Sequence, residues 1–261
     1  MNSSYLVPNN RVDLFILHIK EHVETPWNVV DVCDNGKGFD FEVMGAVHAT
    51  YRHDRLMTGQ AWDAITAGCL LHPGRPASLL MLGLAGGTAV RQLKTLLPEL
   101  ALVAVEIDPE MVRLAKKYMK IGELGCEIIT ADAYAFLRTD PRRFDVVVDD
   151  VYISGLDDVE KPVLPTDRLF KLFQDRLKPG GILCTNLVTG SGHRSVQSKT
   201  RKAFKRAFYE VRSIVPPDSH NETLVGGKAL APPSNYTGRL PELPTPYDRA
   251  KWSQLCTRRL K

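Results

Sequence analysis

No apolar run in this 261-residue chain approaches the ~20 residues needed to cross a bilayer, so no membrane-spanning segment is predicted. The opening stretch MNSSYLVPNNRVDLF lacks a basic segment followed by an apolar one, and no secretory leader is expected from it. Cysteine is sparse: Cys33, Cys69, Cys126, Cys184 and Cys256 are widely separated and include no Cys-x-x-Cys pair. That spacing argues against both a disulfide framework and a zinc site, so no metal centre is predicted, and reduced thiols favour a cytoplasmic location. Charge of one sign is missing too. A net charge of +4, spread along the chain, permits an anionic partner without demanding one. Internal repeats and low-complexity tracts are absent.

What remains is material for one sizeable core, since a hydrophobic content of 44% over 261 residues needs no disulfide or metal to hold it together. Residues 12–23, VDLFILHIKEHV, are read as a helix that packs a neighbouring subunit or lids a pocket together with Tyr5 and Leu6. Residues 27–49 read as short strands around the turn signal Asp34-Asn35-Gly36, a small antiparallel sheet. Residues 61–71 have helical spacing and stop before His72-Pro73-Gly74. From there strands and helices alternate: SLLMLG, GTAVRQLKTLL, ALVAVEI, DPEMVRLAKKYM, CEIITAD, AYAFLRT, FDVVVDD, DRLFKLFQDRL and ILCTNLV, with Asp108 as N-cap and Pro109 at the first helical position of the second helix. That alternation predicts an α/β fold, a Rossmann-like doubly wound parallel sheet with a small N-terminal antiparallel β-subdomain. A basic amphipathic helix, SVQSKTRKAFKRAFYEV, and two strands, VRSIV and ETLVGG, follow, and the Pro-rich end from Ala231 is expected to be irregular. The expected division is 1–60 for the N-terminal helix and β-subdomain or lid, 61–232 for the core, and 233–261 for a Pro-rich tail.

Ligands of such sheets bind beyond the carboxyl ends of the strands, where strand order reverses, so the strand-ending residues carry the chemistry. The first strand ends in Gly83-Leu84-Ala85-Gly86-Gly87, whose glycines let the backbone pass close to a ligand at a helix N-terminus. Glu106 follows about 20 residues on, where an acid can accept both hydroxyls of a ribose. Asp132 can accept from the exocyclic amine of adenine, and Asp150 stands beside the reacting centre. Ile107 and Ala133, which follow two of these acids, are assigned to the same ligand. The turn is not Gly-x-Gly-x-x-Gly, because Ala85 and Thr88 interrupt it, which disfavours a nicotinamide dinucleotide. The acids suit S-adenosyl-L-methionine, which has a ribose, an adenine and an ammonium to satisfy and no pyrophosphate.

LLMLGLAGGTAVRQL, VAVEIDPEMVRLAKKYM, ITADAYAFL, FDVVVDDVY and LKPGGILCTNLV together resemble the class I S-adenosylmethionine-dependent methyltransferase core and, more closely, its spermidine synthase branch. The resemblance implies that fold, an S-adenosylmethionine-type ligand, and a family that often dimerises. It also exposes departures. The family's GGGDGG turn carries an Asp that holds the amino-acid end of the donor, and its place here is Gly86. The family's DSSDP has its first Asp at Asp150, but its second falls at Ile153, and a tyrosine and glutamine of the family fall near Ala61 and Trp62. With that amine-binding set incomplete, the expected reaction is methyl transfer from S-adenosylmethionine to a small molecule, with Asp150 and then Tyr152 as the candidate bases. The alternative is transfer or cyclisation of the aminopropyl or aminobutanoyl part. Methyl transfer releases S-adenosylhomocysteine and the aminopropyl route methylthioadenosine. A third reading is a protein that binds an adenosyl ligand or a partner chain without turnover.

For the acceptor, the segment HATYRHDRLMTGQ gathers His48, Tyr51, Arg52, His53 and Arg55 just ahead of the core. Arginine and histidine together predict an anionic acceptor, such as a prenyl or other diphosphate, with His193 and Arg194 adding to the same pocket. The charges of the basic helix lie opposite an apolar face and come without aromatic stacking residues, so no nucleic-acid partner is expected.

Overall fold

The computed structural model describes residues 4–5, 17–34, 36–154, 159–190 and 192–261. β1 (Ser4–Tyr5), β2 (Leu17–Glu24), β3 (Val29–Asp34), β4 (Gly38–Val43) and β5 (Ala46–Arg52) form an antiparallel sheet in chain order. The helix expected over 12–23 is therefore corrected where it is described: from Leu17 onward the chain is a strand, while Leu6 and residues 12–16 lie outside the described residues. Its burial explains why. His18, Lys20, His22 and Glu24 face solvent while Ile19, Glu21 and Val23 turn inward, a period of two rather than 3.6. The small antiparallel sheet read from residues 27–49 is present as β3, β4 and β5. Asp108 ties this sheet to the core: its carboxylate accepts from Thr25 Oγ1 at 2.7 Å and Asn28 Nδ2 at 3.0 Å while capping the helix that it begins.

After α1 (Ala61–Cys69) the chain enters the alternating region: β6 (Ser78–Leu82), α2 (Thr88–Leu96), β7 (Ala101–Glu106), α3 (Pro109–Tyr118), β8 (Glu127–Thr130), α4 (Ala133–Thr139) and β9 (Phe144–Asp149). A short antiparallel hairpin, β10 (Ile153–Ser154) with β11 (Val159–Glu160), precedes α5 (Asp167–Asp175), β12 (Leu177–Val188), α6 (Arg194–Ala207), β13 (Glu210–Val215) and β14 (Asn221–Gly227). The last elements are α7 (Ser234–Thr237), α8 (Pro246–Ser253) and β15 (Cys256–Arg259). The central sheet has eight strands in the order β15-β13-β14-β12-β9-β6-β7-β8; the five from β12 to β8 pair parallel, and β14, β13 and β15 are each added by an antiparallel pairing. Strand order reverses between β6 and β9, and that crevice is where the ligand of such a sheet lies. Both faces are covered. Leu79 and Met81 of β6 join one apolar cluster and Leu80 and Leu82 the other, which is why these strands read as unbroken apolar runs.

Three boundaries differ from the sequence reading. The basic helix stops at Ala207, because Phe208 turns extended and buries its ring against Phe204 and Phe170. Residues 178–181, which lie between the predicted helix DRLFKLFQDRL and the predicted strand ILCTNLV, run inside β12 as an irregularity in its pairing with β9. The Pro-rich end is ordered, not irregular. Pro246 occupies the first turn of α8, Thr245 and Asp248 form a reciprocal capping box, and β15 extends the sheet beside β13. Asp248 also accepts from the backbone N–H groups of Leu56 and Met57, at 2.8 and 2.7 Å, and so fixes the segment that leads into α1. Trp252 is fully buried, its indole N–H donating to Tyr236 O at 2.7 Å. No helix among the described residues is long and apolar enough to cross a membrane.

Trp252→Ala is expected to lower the unfolding free energy by about 3–5 kcal/mol in denaturant titration, the cost of truncating a core aromatic. A loss below about 1 kcal/mol would mean that the C-terminal residues are not part of the core.

Candidate active site

The glycine turn follows β6 at the switch point. Gly83 has φ +85°, and a Cβ there would stand 2.4 Å from the carbonyl oxygen of Asp150, so only glycine lets the two strand ends approach. Gly87, with φ +79°, is the N-cap of α2. The carboxylate of Glu106, at the end of β7, holds the turn in place. Its Oε2 accepts from the N–H groups of Leu84 and Ala85 at 3.1 and 2.9 Å, and its Oε1 from those of Ile107 and Asp108 at 3.0 and 3.2 Å. Burial pushes this carboxyl above the usual range and the four donors pull it back. Ribose hydroxyls would share oxygens that already shape the loop.

At the end of β9 stands Asp150. Burial raises its carboxyl to about 6, opposed first by the amide of Asn186, which donates to Oδ1 at 2.8 Å, and then by the charge of Lys161. Asn186 sits on β12 and is steadied by Asn221 Nδ2, 3.2 Å from its Oδ1. Tyr152 lines the same cavity, but its hydroxyl donates to Asn186 O and accepts from Val188 N–H, both at 2.9 Å. That hydroxyl is committed to the backbone, so the structure favours Asp150 over Tyr152 as proton acceptor. A carboxylate whose affinity for protons is raised by a dry setting is suited to take one from a bound nucleophile.

A cavity of about 500 Å³ lies over these strand ends. It brings together most of the residues singled out from the sequence: Gly83, Leu84, Ala85, Glu106, Ile107, Asp132, Ala133, Asp150, Tyr152 and His48. Asp132 also caps α4 by accepting from Ala135 N–H, and burial holds His48 below its ordinary value, in its neutral form near pH 7. Other predicted residues lie elsewhere. Gly86 does not line the cavity; a Cβ there would stand 2.4 Å from Cβ of Ala49 and 3.1 Å from Phe41, so the position packs against the N-terminal sheet and leaves no room for the family's Asp. Arg52 pairs with Asp40 at 3.3 Å, and Tyr51 stacks under Arg91, 4.4 Å from its ring centre, with His53 against its edge. Arg55 lies over the ring of Tyr247 at 4.5 Å. His193 and Arg194, at the start of α6, are also outside the lining. The predicted grip on an anionic acceptor is therefore not assembled. No group of three or more His, Cys, Asp or Glu among the described residues is placed to hold a metal ion.

The sequence reading passed over Trp27, Gln60, Trp62, Asn186 and Asn221, all of which line the cavity. One signal was legible: Asn186 is an amide inside the otherwise apolar strand ILCTNLV, and a buried amide needs partners. The tryptophans gave no such signal, since an indole in a sequence reads as core, although Trp27 is exposed and only Trp62 is buried.

Gly86→Ala is expected to cost about 1–3 kcal/mol of stability by overpacking, while calorimetric affinity for methylthioadenosine stays within about twofold once the protein is folded. A selective loss of that affinity with unchanged stability would return Gly86 to the ligand.

A sequence profile of the spermine/spermidine synthase domain matches residues 63–217. The chain is 26% identical over 184 residues to polyamine aminopropyltransferase 2 of Pseudomonas aeruginosa, an alignment covering 64% of this chain and 52% of that one. It is 29% identical over 168 residues to a probable polyamine aminopropyl transferase of Bifidobacterium longum, covering 64% and 36%. The chain thus spans about half or less of the length of these curated relatives. Spermidine synthase of Thermotoga maritima has the same fold, with a TM-score of 0.68 at 17% identity over 95% of this chain and 88% of that one. These relatives overturn the expectation of methyl transfer from S-adenosylmethionine: they are named for aminopropyl transfer, the route ranked second from the sequence. With the profile covering more than half of its residues and the glycine turn, Glu106 and Asp150 all inside the matched span, the chain belongs to the spermine/spermidine synthase domain family.

Proposed function

We propose that this protein transfers an aminopropyl group from decarboxylated S-adenosylmethionine to an amine acceptor. The observation that carries this reading is Asp150, a carboxylate just past β9 with its proton affinity raised by burial, opening onto a cavity that Glu106 and Asp132 also line. The relatives' names support the reaction type. The fit of the donor rests on Glu106 and Asp132, which line the cavity as acceptors for its nucleoside.

The donor supplies a carbon made electrophilic by an adjacent sulfonium sulfur. The acceptor amine forms a C–N bond at that carbon as the C–S bond breaks, and methylthioadenosine leaves with the electron pair. The new ammonium proton passes to the Asp150 carboxylate, which Asn186 holds by its amide. Tyr152 contributes position: its hydroxyl joins the segment after β9 to β12. The neutral imidazole of His48 and the indoles of Trp27 and Trp62 form a wall that adds no positive charge against a cationic acceptor. A cavity of about 500 Å³ suits a small-molecule acceptor, and α6 engages part of its basic face internally, through Arg201 with Glu222 and Arg206 with Asp167. The buried free thiols of Cys33, Cys69 and Cys184 support a reducing, cytoplasmic setting.

Incubation with decarboxylated S-adenosylmethionine and an amine panel should yield methylthioadenosine by chromatography. S-adenosylhomocysteine as the only nucleoside product, formed from intact S-adenosylmethionine, would refute the proposal. The base acts when ionised, so kcat/KM should fall as pH drops through about 6, by tenfold per pH unit below it, and hold steady above until another group titrates. Asp150→Asn should lower kcat by about 10²–10⁴ and abolish that limb.

A further inference from the structure

Behind Asp150 lies a charged pair that the reaction described above does not use. Asp149, the last residue of β9, and Lys161, just after β11, meet at 3.0 Å with side chains only 6% and 5% exposed. Lys161 Nζ also donates to the backbone oxygen of Asp149 at 3.3 Å and sits 4.6 Å from the ring centre of Tyr152. The other carboxylate oxygen of Asp149 accepts from the hydroxyl of Tyr134 on α4 at 3.1 Å. Such a buried pair contributes little net stability compared with apolar residues of similar size, yet breaking it by removing one partner is strongly destabilising. Its location is therefore the informative feature. Lys161 is joined directly to the β10–β11 hairpin, and Ile153, Val159 and Pro162 of that segment line the cavity.

We propose that Lys161 is a positioning residue: it latches the β10–β11 segment to the end of β9 and so sets Asp150 and the cavity wall for proton transfer. This inference rests on the aminopropyl-transfer reading. One ammonium makes three contacts in two directions, down to Asp149 and across to Tyr152, whose hydroxyl continues to Asn186, whose amide reaches Asp150. Released from Asp149, the segment would lose its charged anchor to the sheet. The charges that face Asp150 come from three elements: Glu106 at the end of β7, Asp149 on β9, and Lys161. The first two favour its protonated form and Lys161 favours the ionised base, with Asp132 and Tyr134 on the flanking α4 side.

The test compares Lys161→Met, Lys161→Arg and the double variant Lys161→Met/Asp149→Asn, each first checked for folding by circular dichroism and thermal unfolding. Three readouts follow: kcat/KM against pH for methylthioadenosine formation, hydrogen exchange of amides 151–154, 159–161 and 163, and calorimetric affinity for methylthioadenosine. Lys161→Met should lose about tenfold or more in kcat/KM, move the acid limb upward from about 6, and exchange faster at those amides. Lys161→Arg should restore most of the rate and the slow exchange. The double variant removes one charge of each sign. It should return the limb toward its original position while keeping the fast exchange and the low rate, which a purely electrostatic role would not produce. A folded Lys161→Met with wild-type rate and wild-type exchange overturns the proposal; if that variant does not fold, the same result in the double variant overturns it. Should the wild-type protein form no methylthioadenosine at all, the transferase reading fails, and exchange with nucleoside affinity still decides whether Lys161 is a latch.

Discussion

Four backbone N–H groups converge on the carboxylate of Glu106, and the geometry of the whole site depends on that convergence. Two come from the glycine turn after β6 and two from the turn after β7, so one side chain locks adjacent strand ends in register with each other. Without it the N–H groups of Leu84 and Ala85 would point at a half-buried crevice with no acceptor, a cost of about 1–3 kcal/mol for each unsatisfied group. The acid is therefore structural before any ligand arrives. Because the donors are backbone groups, Leu84 and Ala85 can supply them where the family has glycines, although Ala85 takes φ +44°, a left-handed conformation that favours glycine.

The opposite side of the crevice is built on the same plan but with a different electrostatic result. Asp149 and Asp150 end β9 side by side, and the sheet gives them separate environments. Asp149 turns into the protein and meets Lys161 and Tyr134; Asp150 turns into the cavity and meets a single amide. Pairing keeps the first in place as an anchor, and burial, only partly offset by the Asn186 amide, leaves the second with raised proton affinity. Two neighbouring carboxylates thus differ, one paired inside the protein and one facing the cavity, because a strand sends successive side chains to opposite faces.

Much of this was legible in the sequence. Apolar runs alternating with amphipathic segments fixed the parallel sheet, and the rule that ligands sit at its carboxyl ends selected Gly83, Glu106, Asp132 and Asp150, all of which line the cavity. What failed was direction. Tyr51, Arg52, His53 and Arg55 form a basic cluster in sequence, but most lie on or just past a strand, and their side chains disperse to Asp40, Arg91 and Tyr247. A cluster of charge in a sequence has no aim until the backbone beneath it is known. The Pro-rich end misled for a related reason: proline breaks helices in their interior yet favours their first turn, and Pro246 serves as a start. Lys161 carried no local signal, because its partner is Asp149, twelve residues away across a hairpin.

The error over reaction type has the same root. Gly86 and Ile153 were read as missing parts of an amine-transfer apparatus, and methyl transfer was inferred from those gaps. Yet the position of Gly86 is filled by Ala49 and Phe41 of the N-terminal sheet, so the gap is a packing solution and carries no information about the nucleophile. Displacement at a carbon beside a sulfonium needs an oriented nucleophile and, for an ammonium product, one acceptor for a proton. On the aminopropyl-transfer reading proposed above, Asp150 would meet the second requirement alone, and the neutral side chains of His48, Trp27 and Trp62 would leave the first to shape. On that reading a second carboxylate would add grip on a distant cation without altering the bond that forms, so its absence would bear on which amine is held, not on which group is transferred.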